Sequence, residues 1–367
     1  MTGLGGNKRM EERIKKRSKK AVVDFKRYGI HALLLTKEAD IQYMTGIPGE
    51  DCMVLLTENK RYIITDFRYV EAVSVLQPEF EVVVTKKGYE WIDFLRDMSL
   101  ENIGVQDEHL TLSSYNELCM VLPKEKIISA TGLVESIRLI KDEVEIGWIR
   151  QAEEIGDLAF KHILEFLRPG ISEKRVALEI EHEMKLNGAD GFSFSTICVS
   201  GINSSRPHGI PSDKLLEDGD FLTMDYGCIY NGYCSDMTRT VAIGHANDEM
   251  VQIYNTVLKA QLYACEHLKA GMHVKEGDAL ARRIIEEAGF GEYFGHGLGH
   301  GVGLEIHEEP FLSFRGQHVL EENMTVTIEP GIYLPGRFGV RIEDLAVITS
   351  SGIENLTHSG KELMIIK

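Results

Sequence analysis

The sequence predicts an α/β chain of the α+β type, with a small N-terminal α/β domain followed by a larger domain that contains an internal duplication. The 367 residues, 43% of them hydrophobic and 26% charged, are enough for two domains with sizeable cores. Short apolar runs alternate with helix-like stretches in the first part of the chain, whereas one pattern occurs twice in the rest. We therefore predict domains at 1–138 and 139–367.

The composition argues against several classes of function. A formal net charge of −17 disfavours nucleic acid and anionic membranes as partners, because both require basic surfaces. No apolar segment approaches the roughly 20 residues that span a bilayer, and the start lacks the apolar core of a signal peptide. The six cysteines form no CxxC pair, which favours reduced side chains. We therefore expect a cytoplasmic protein.

In the N-terminal domain, the basic run "NKRMEERIKKRSKK" continues into "AVVDFKRYG" and is typical of the exposed face of a long amphipathic helix. The runs "HALLL", "CMVLL", "RYIIT" and "FEVVV" predict strands, and "DFRYVEAVSVL" predicts a helix. The segment from Ser136 to Leu167 carries apolar residues at helical spacing. It predicts one helix that connects the two domains.

The second domain contains two copies of one pattern. "LRPGISEKRVALEIEHEMKLNGADGF" aligns with "LKAGMHVKEGDALARRIIEEAGFGEYF" when Gly170 is matched to Gly271, and "LEDGDFLTMDYG" aligns with "LEENMTVTIEPG" without a gap. Each copy predicts a helix, a glycine turn, a second helix, extended strands and a hairpin. Two copies are too few for a solenoid, so we expect a gene duplication whose halves pack about a pseudo-twofold axis.

Each predicted hairpin carries two acids. The Asn-Gly pair at 231–232 predicts a type I′ turn. This turn places Asp225 and Asp236 on one face as diagonal neighbours, with their Cβ atoms roughly 7 Å apart. In the second copy, a turn around the Pro-Gly pair places Glu329 opposite Glu343. Each half of the duplication is therefore expected to bring two carboxylates to one face of a hairpin.

A surface position is the ordinary explanation of a single acid. Here, however, Asp225 follows "FLTM" and Glu329 follows "TVTI", which are strand-like runs that look buried. Four buried carboxylates would repel one another unless cations neutralise them. Two divalent ions would balance the four charges, and oxygen ligands with one imidazole suit Mn, Fe, Co or Zn.

The stretch "GHGLGHGVGLEIHE" is the source of the imidazole. It contains His296, His300 and His307. In an extended chain, His296 and His300 share one face, while the glycines on the other face let a backbone or a ligand approach closely. A dinucleotide-binding loop is the competing explanation, but the spacing does not fit GxGxxG and the following residues do not open a helix. We therefore expect the histidines to face the four acids.

These motifs resemble the pita-bread metallopeptidases, in the Xaa-Pro aminopeptidase and prolidase branch. The resemblance rests on "MDYGCIYNGYCSDMTRT", "GHGLGHGVGLEIHE", "IEPGIY" and "VRIED", while "DIQYMTG" and "RYIITDFRYVEA" resemble the creatinase-type N-terminal domain. It implies a creatinase-like domain followed by a pita-bread catalytic domain, assembled as a homodimer. It also implies two divalent metal ions, with Mn as first choice and Co or Zn as substitutes.

The resemblance assigns the metal ligands residue by residue. Asp236 and Glu343 would bridge the two ions, Asp225 would complete one ion, and His300 and Glu329 the other. A metal-bridged hydroxide would be the nucleophile, with Glu329 as the general base that later returns the proton to the leaving amine.

Three further residues receive roles from the resemblance. His208 in "SSRPHG" would contact substrate and take part in proton transfer, His307 would stabilise the tetrahedral intermediate, and His296 would line the pocket for the proline side. Arg341 lies two residues before Glu343 and so on the same face of the strand, where its guanidinium would orient a metal-bound carboxylate; an ordinary cross-strand ion pair is the alternative. Tyr333 is as consistent with packing as with substrate contact, and we leave it out of the site.

The implied reaction is hydrolysis of the Xaa-Pro bond, in small peptides with proline in the second position. The sequence leaves open whether the substrate is a longer peptide, as for aminopeptidase P, or a dipeptide, as for prolidase. A methionine-aminopeptidase-like enzyme is an alternative, although that branch usually lacks the first domain. A non-catalytic binding protein on the same fold is another, although its members typically lose ligands that are all present here.

Overall fold

The computed structural model describes residues 4–76 and 79–367. They form two compact units, of which the first ends at Arg138 and the second runs from Leu139 to Lys367. Within the described ranges, none of the helices is both long and apolar enough to cross a bilayer. All six cysteines are free thiols.

A six-stranded mixed sheet forms the centre of the first unit. Its strands are β1 (Ala32–Leu35), β2 (Met53–Thr57), β3 (Arg61–Asp66), β4 (Glu81–Thr85), β5 (Ile103–Val105) and β6 (Ile127–Ser129). They lie in the order β4-β3-β2-β1-β5-β6. The pairings of β2 with β1 and with β3 are antiparallel and the others are parallel. The four predicted apolar runs are therefore strands β1 to β4.

The helices of the first unit agree with the sequence prediction only in part. They are α1 (Leu4–Tyr28), α2 (Glu38–Thr45), α3 (Val70–Val73), α4 (Trp91–Met98), α5 (Leu112–Leu118) and α6 (Leu133–Arg138), with 3-10 turns at Ser74–Leu76 and Lys124–Lys126. The basic run lies on α1, which buries Ile14, Ala21 and Phe25 along one face. The run "DFRYVEAVSVL" forms only α3 and a 3-10 turn, because its β-branched valines favour helix weakly.

The sequence prediction of a single connecting helix is wrong. The helix α6 ends at Arg138, and a separate helix α7 (Glu143–Phe166) begins four residues after Leu139. Asp142 caps this helix, since its side chain accepts hydrogen bonds from the backbone N–H groups of Val144 and Glu145, both at 3.0 Å. The Glu145 side chain accepts in return from the Asp142 N–H at 2.8 Å, which completes a capping box.

The second unit has four helices and fourteen strands in several small sheets. Its remaining helices are α8 (Glu173–Leu186), α9 (Asp248–His267) and α10 (Val274–Glu287), with 3-10 turns at Gly201–Ser205 and Gly291–Tyr293. Its strands are β7 (Gly191–Phe192), β8 (Ile197–Ser200), β9 (Phe221–Tyr226), β10 (Cys228–Tyr230), β11 (Tyr233–Cys234), β12 (Met237–Ile243), β13 (Gly299–Gly301), β14 (Glu308–Leu312), β15 (Thr325–Ile328), β16 (Gly331–Leu334), β17 (Phe338–Arg341), β18 (Asp344–Ile348), β19 (Ile353–Asn355) and β20 (Ile365–Ile366). The two largest sheets have the orders β20-β12-β9-β8 and β14-β13-β15-β18-β19.

The duplication in the second unit is confirmed in detail. The helices α8 and α10 each have 14 residues. Before them, Gly170 and Gly271 adopt left-handed φ angles of 87° and 85°. Their N–H groups donate to the carbonyls of Leu216 and Leu320, both at 2.8 Å. Matching residues therefore make matching backbone contacts in the two halves.

The two hairpins have the predicted registers. At the first turn, the φ angles of Asn231 and Gly232 are 50° and 83°, as a type I′ turn requires, and β9 pairs Asp225 with Thr238. In the second hairpin, β15 pairs with β18 and β16 with β17 in one common register on either side of an interruption. That register places Glu329 opposite Glu343.

One backbone bridge joins the two halves beside these acids. The N–H of Glu343 donates to the carbonyl of Thr238 at 3.1 Å. The fully buried Arg239 donates to the Glu343 carbonyl and to Asp344 Oδ1 at 2.8 Å. Burial raises the pKa of Asp344, but Arg239 and Lys361 outweigh this effect and bring it below its ordinary value. The ion pair therefore fixes the junction of the duplicated halves.

We expect Arg239→Ala to lower the free energy of unfolding by about 3 kcal/mol or more, because it removes one partner of a buried ion pair. Urea denaturation followed by circular dichroism measures this loss. The matched control is Arg150→Ala, since the Arg150–Glu354 pair is about half exposed on both sides and should contribute less than about 1 kcal/mol. Equal losses in the two variants would contradict the assigned importance of Arg239.

Candidate metal centre

The second unit contains a cavity of about 560 Å³ that all the predicted site residues line. Four of them are acids, four are histidines and one is an arginine: Asp225, Asp236, Glu329, Glu343, His208, His296, His300, His307 and Arg341. The structure therefore brings together side chains that are up to 135 positions apart in the sequence, from His208 to Glu343.

The first half of the duplication supplies two of the acids. Asp225 lies near the end of β9, in which every residue is buried, and Asp236 directly precedes β12. Asp225 Oδ2 accepts a hydrogen bond from Arg341 Nη2 at 2.5 Å. Its other oxygen, Oδ1, is buried and has no hydrogen-bond partner in the described part of the chain. A buried carboxylate oxygen without a donor is unfavourable unless a cation binds it.

The second half supplies the other two acids at the ends of its strands. Glu329 directly follows β15 and Glu343 directly precedes β18. Each is oriented by a threonine hydroxyl, because Thr327 Oγ1 donates to Glu329 at 3.1 Å and Thr238 Oγ1 donates to Glu343 at 2.6 Å. The Thr238 bond crosses from the first half to the second, so neither half orients its acids alone.

His300 presents one ring nitrogen to these acids. Its Nε2 lies 3.5 Å from Asp236 Oδ2 and 3.4 Å from Glu329 Oε1. Its Nδ1 lies 3.0 Å from the carbonyl of Gly301, which fits a tautomer with the proton on Nδ1. Burial lowers the pKa of His300, so the neutral ring is favoured. A neutral imidazole with a free Nε2 lone pair is the form that binds metals.

Electrostatic repulsion makes the acids a poor arrangement without cations. Burial, followed by the neighbouring carboxylates, raises the pKa of Asp236 and of Glu343 well above the ordinary range. Burial also raises the pKa of Glu329. One ligand atom each from Asp236, His300 and Glu343 can be chosen so that all lie within 4.8 Å of one another. These residues and the unpaired Oδ1 of Asp225 fit an oxygen-rich site for divalent cations.

The glycines of the histidine run are explained by close backbone approach. A Cβ atom on Gly299 would collide with the carbonyl oxygen of Thr327, and one on Gly301 with that of Glu309. The prediction of one extended run was wrong, since only β13 is a strand and its pairing with β14 is irregular between Gly299 and Gly301. His296 therefore reaches the cavity from a bend that precedes the strand.

Three histidines line the cavity around His300. The centroid of the His307 ring lies 4.4 Å from that of the His300 ring. Burial is the main cause that lowers the pKa of His307, and the neighbouring rings of His300 and His208 lower it further. Burial also lowers the pKa of His296. His208 and His307 are exposed at the cavity surface, where a ligand can reach them.

Sequence reasoning missed three contacts of this centre. The Tyr333 hydroxyl lies 3.1 Å from His296 Nε2 and accepts from Arg341 Nη1 at 2.8 Å, so it links two residues of the cavity wall. The hairpin register pairs Tyr333 with the residue two before Arg341 and would have predicted this contact. The N–H of Asp236 donates to Glu153 Oε2 at 3.2 Å. Glu153 lies on α7, 83 positions before Asp236, so no local sequence pattern connects the two residues.

We expect Gly299→Ala to weaken metal binding roughly tenfold or more, because the added methyl group would push β13 away from β15 and displace His300. Titration of the metal-free protein with Mn²⁺ measures the affinity. Gly295→Ala is the matched control in the same run, since no atom lies within 4 Å of a Cβ at that position. Unchanged affinity in the Gly299 variant would refute the role of close backbone approach.

Comparison with known proteins agrees with this geometry. Residues 147–350 match the profile described as metallopeptidase family M24, and residues 17–140 match the creatinase/prolidase N-terminal domain. The chain is 38% identical to the Xaa-Pro dipeptidase of Pyrococcus furiosus, over 96% of this chain and 100% of that protein. The solved Xaa-Pro dipeptidase from Bacillus anthracis has a TM-score of 0.93 and 45% identity, over 96% of this chain and 99% of that chain. For the X-Pro aminopeptidase from Thermotoga maritima, the TM-score is 0.87 at 38% identity, with coverage of 95% and 99%. The chain thus belongs to metallopeptidase family M24, as the resemblance to the pita-bread enzymes implied.

Proposed function

We propose that this metallopeptidase is a dinuclear exopeptidase that hydrolyses the Xaa-Pro bond, with dipeptides as its main substrates. The observation that carries the proposal is the convergence of two duplicated acid pairs and His300 on one cavity. The similar proteins from Pyrococcus furiosus and Bacillus anthracis are named Xaa-Pro dipeptidases, which supports the substrate class. The similar structure from Thermotoga maritima is named an X-Pro aminopeptidase and favours longer peptides as the second candidate.

The two ions would be held by the five donors of the cavity. Asp236 and Glu343, which each directly precede a strand of their hairpin, would hold both ions, while Asp225 would hold one ion and His300 and Glu329 the other. Manganese is the preferred metal, because most of the donors are oxygens, and Co or Zn are substitutes. When bound, the ions polarise the peptide carbonyl and lower the pKa of a water molecule.

The protein groups around the ions would move protons and position the peptide. Glu329 accepts a proton at its carboxylate and passes it to the leaving amine, and Thr327 holds that carboxylate in place. His208 and His307 donate hydrogen bonds to the oxygen that gains negative charge or to the substrate carboxylate. Arg341 holds the Asp225 carboxylate through its hydrogen bond at 2.5 Å.

The cavity also has an apolar part that suits a proline ring. Phe194, Ile197 and Ile306 line it together with the ionic groups. Apolar surface beside a few oriented polar groups is typical of sites for small molecules. We propose that the proline ring packs on this apolar surface and beside His296, while the metal ligands face the scissile bond.

We further propose that residues 1–138 form the creatinase-like domain and 139–367 the pita-bread domain. The end of the first compact unit at Arg138 supports this division. Six free cysteines fit a reducing compartment and support a cytoplasmic location. The homodimer is carried over from the family resemblance.

The substrate class is tested with Ala-Pro, Ala-Pro-Ala and Met-Ala-Ser, each incubated with Mn-loaded and chelated enzyme. We expect chelator-sensitive cleavage of Ala-Pro and little cleavage of Met-Ala-Ser. Efficient release of Ala from the tripeptide would support the aminopeptidase candidate instead. Cleavage of Met-Ala-Ser alone would contradict a proline requirement, and no cleavage despite bound metal would favour a binding protein.

The proposed ligand and base roles separate in two variants. Asp236→Ala should lose metal and activity together, because removing a bridge leaves both ions short of a ligand. Glu329→Gln should retain some metal but lower kcat roughly 10²-fold or more, because the amide cannot accept the proton. Metal analysis of the purified variants, beside their kinetics, checks both. Full activity in Glu329→Gln would remove Glu329 as the general base.

A further inference from the structure

Glu173 is a buried carboxylate that none of these roles uses. It is the first residue of α8 and has no exposed surface. Its Oε1 accepts from the N–H and the hydroxyl of Ser200, at 2.6 and 2.9 Å, and from Asn203 Nδ2 at 3.2 Å. Its Oε2 accepts from the N–H and the hydroxyl of Ser212, at 2.9 and 2.7 Å. One carboxylate thus binds two places that are twelve residues apart.

The chain between these places forms part of the cavity wall. We call residues 200–212 the His208 loop. Its members from Pro207 to Pro211 all line the cavity, and His208 lies at their centre. Two residues outside the loop contact it between its ends. Arg341 Nη1 donates to the Pro207 carbonyl at 3.3 Å, and the Gly339 N–H donates to the Ser204 hydroxyl at 2.9 Å. The Glu173 side chain therefore contacts both ends of the loop and Asn203 within it. Backbone bonds also hold the ends, since Ser200 pairs with Leu222 and the Lys174 N–H donates to the Ser212 carbonyl at 3.1 Å.

A carboxylate is the one side chain of this size that satisfies both ends. The hydroxyls of Ser200 and Ser212 can rotate, but their backbone N–H groups are fixed donors that meet different oxygens. A glutamine would offer one acceptor oxygen and would turn an NH₂ group towards the other backbone N–H. The position at the start of α8 also favours a negative charge, because the helix dipole is positive there.

The other half of the duplication shows that the fold itself does not require this acid. His273 is the N-cap of α10, as Ser172 is of α8, so Val274 matches Glu173. Val274 is also fully buried. The equivalent helix therefore begins with an apolar residue in the same kind of place. The carboxylate occurs in the half whose following loop carries His208.

We propose that Glu173 is a positioning residue that sets the His208 loop and thereby the place of His208 in the cavity. The inference rests on the proposed function, in which His208 contacts the peptide. Glu173 contacts none of the proposed metal ligands, so its loss affects substrate binding and leaves metal binding intact.

Hydrogen–deuterium exchange of the intact, Mn-loaded protein tests the hold on the loop without reference to activity. In Glu173→Gln, we expect amide exchange in the peptides covering 200–212 to accelerate about tenfold, because one end loses its charged acceptor. Ser212→Ala removes one hydroxyl donor and should give a smaller rise in the same peptides. The matched control is Glu179→Gln, which removes a carboxylate from the same helix that contacts His162 instead. Wild-type exchange in both Glu173→Gln and Ser212→Ala would overturn the proposal.

A double-mutant cycle tests whether Glu173 acts through His208. We expect Glu173→Gln to raise the KM for Ala-Pro about tenfold with unchanged metal content, and to change it less than about twofold when His208→Ala is already present. Glu179→Gln should keep the wild-type KM. An equal rise in both backgrounds would overturn the proposal, since Glu173 would then act independently of His208. If the wild-type enzyme does not hydrolyse Ala-Pro, the proposed function fails, and the exchange measurement still decides whether Glu173 holds the loop.

Discussion

Repulsion among four carboxylates in one cavity is the constraint on which the catalytic unit depends. Burial and neighbouring negative charges raise the pKa of Asp236 and Glu343, so the ionised forms are costly until cations bind. The protein cannot relax this repulsion by letting the acids move apart, because each sits at the end of a buried strand. The fold therefore holds the four acids close together, and bound divalent ions would neutralise their negative charge.

The duplication is what places the acids at one point. Each half forms a hairpin that carries two carboxylates, and the bridge from Thr238 to Glu343 fixes the two hairpins against each other. Arg239 holds that bridge from the protein interior, while the glycines around His300 let β13 approach β15 closely. The contacts of Thr238 and Arg239 with Glu343 connect residues about 100 positions apart, whereas the contact of Gly299 with Thr327 connects two neighbouring strands of the second half.

Structural features that depend on residues close together in the sequence could be predicted. The Asn-Gly turn and strand alternation predicted that Asp225 and Asp236 share a face, and the repeat predicted a second acid pair. The break before α7 has a local signal, because Asp142 and Glu145 form a capping box, but the helical spacing of apolar residues continues across it and hides the break. Glu153 and Glu173 were missed since their partners lie far along the chain, and neither residue has a local signature.

The central claim is that the two halves together hold two ions, bridged by Asp236 and Glu343. Anomalous diffraction from a crystal grown with Mn²⁺ tests it most directly. The account predicts two anomalous peaks in the cavity, both within bonding distance of Asp236 and Glu343, with Asp225 on one ion and His300 and Glu329 on the other. A single peak, or ions bound away from these five residues, would contradict it.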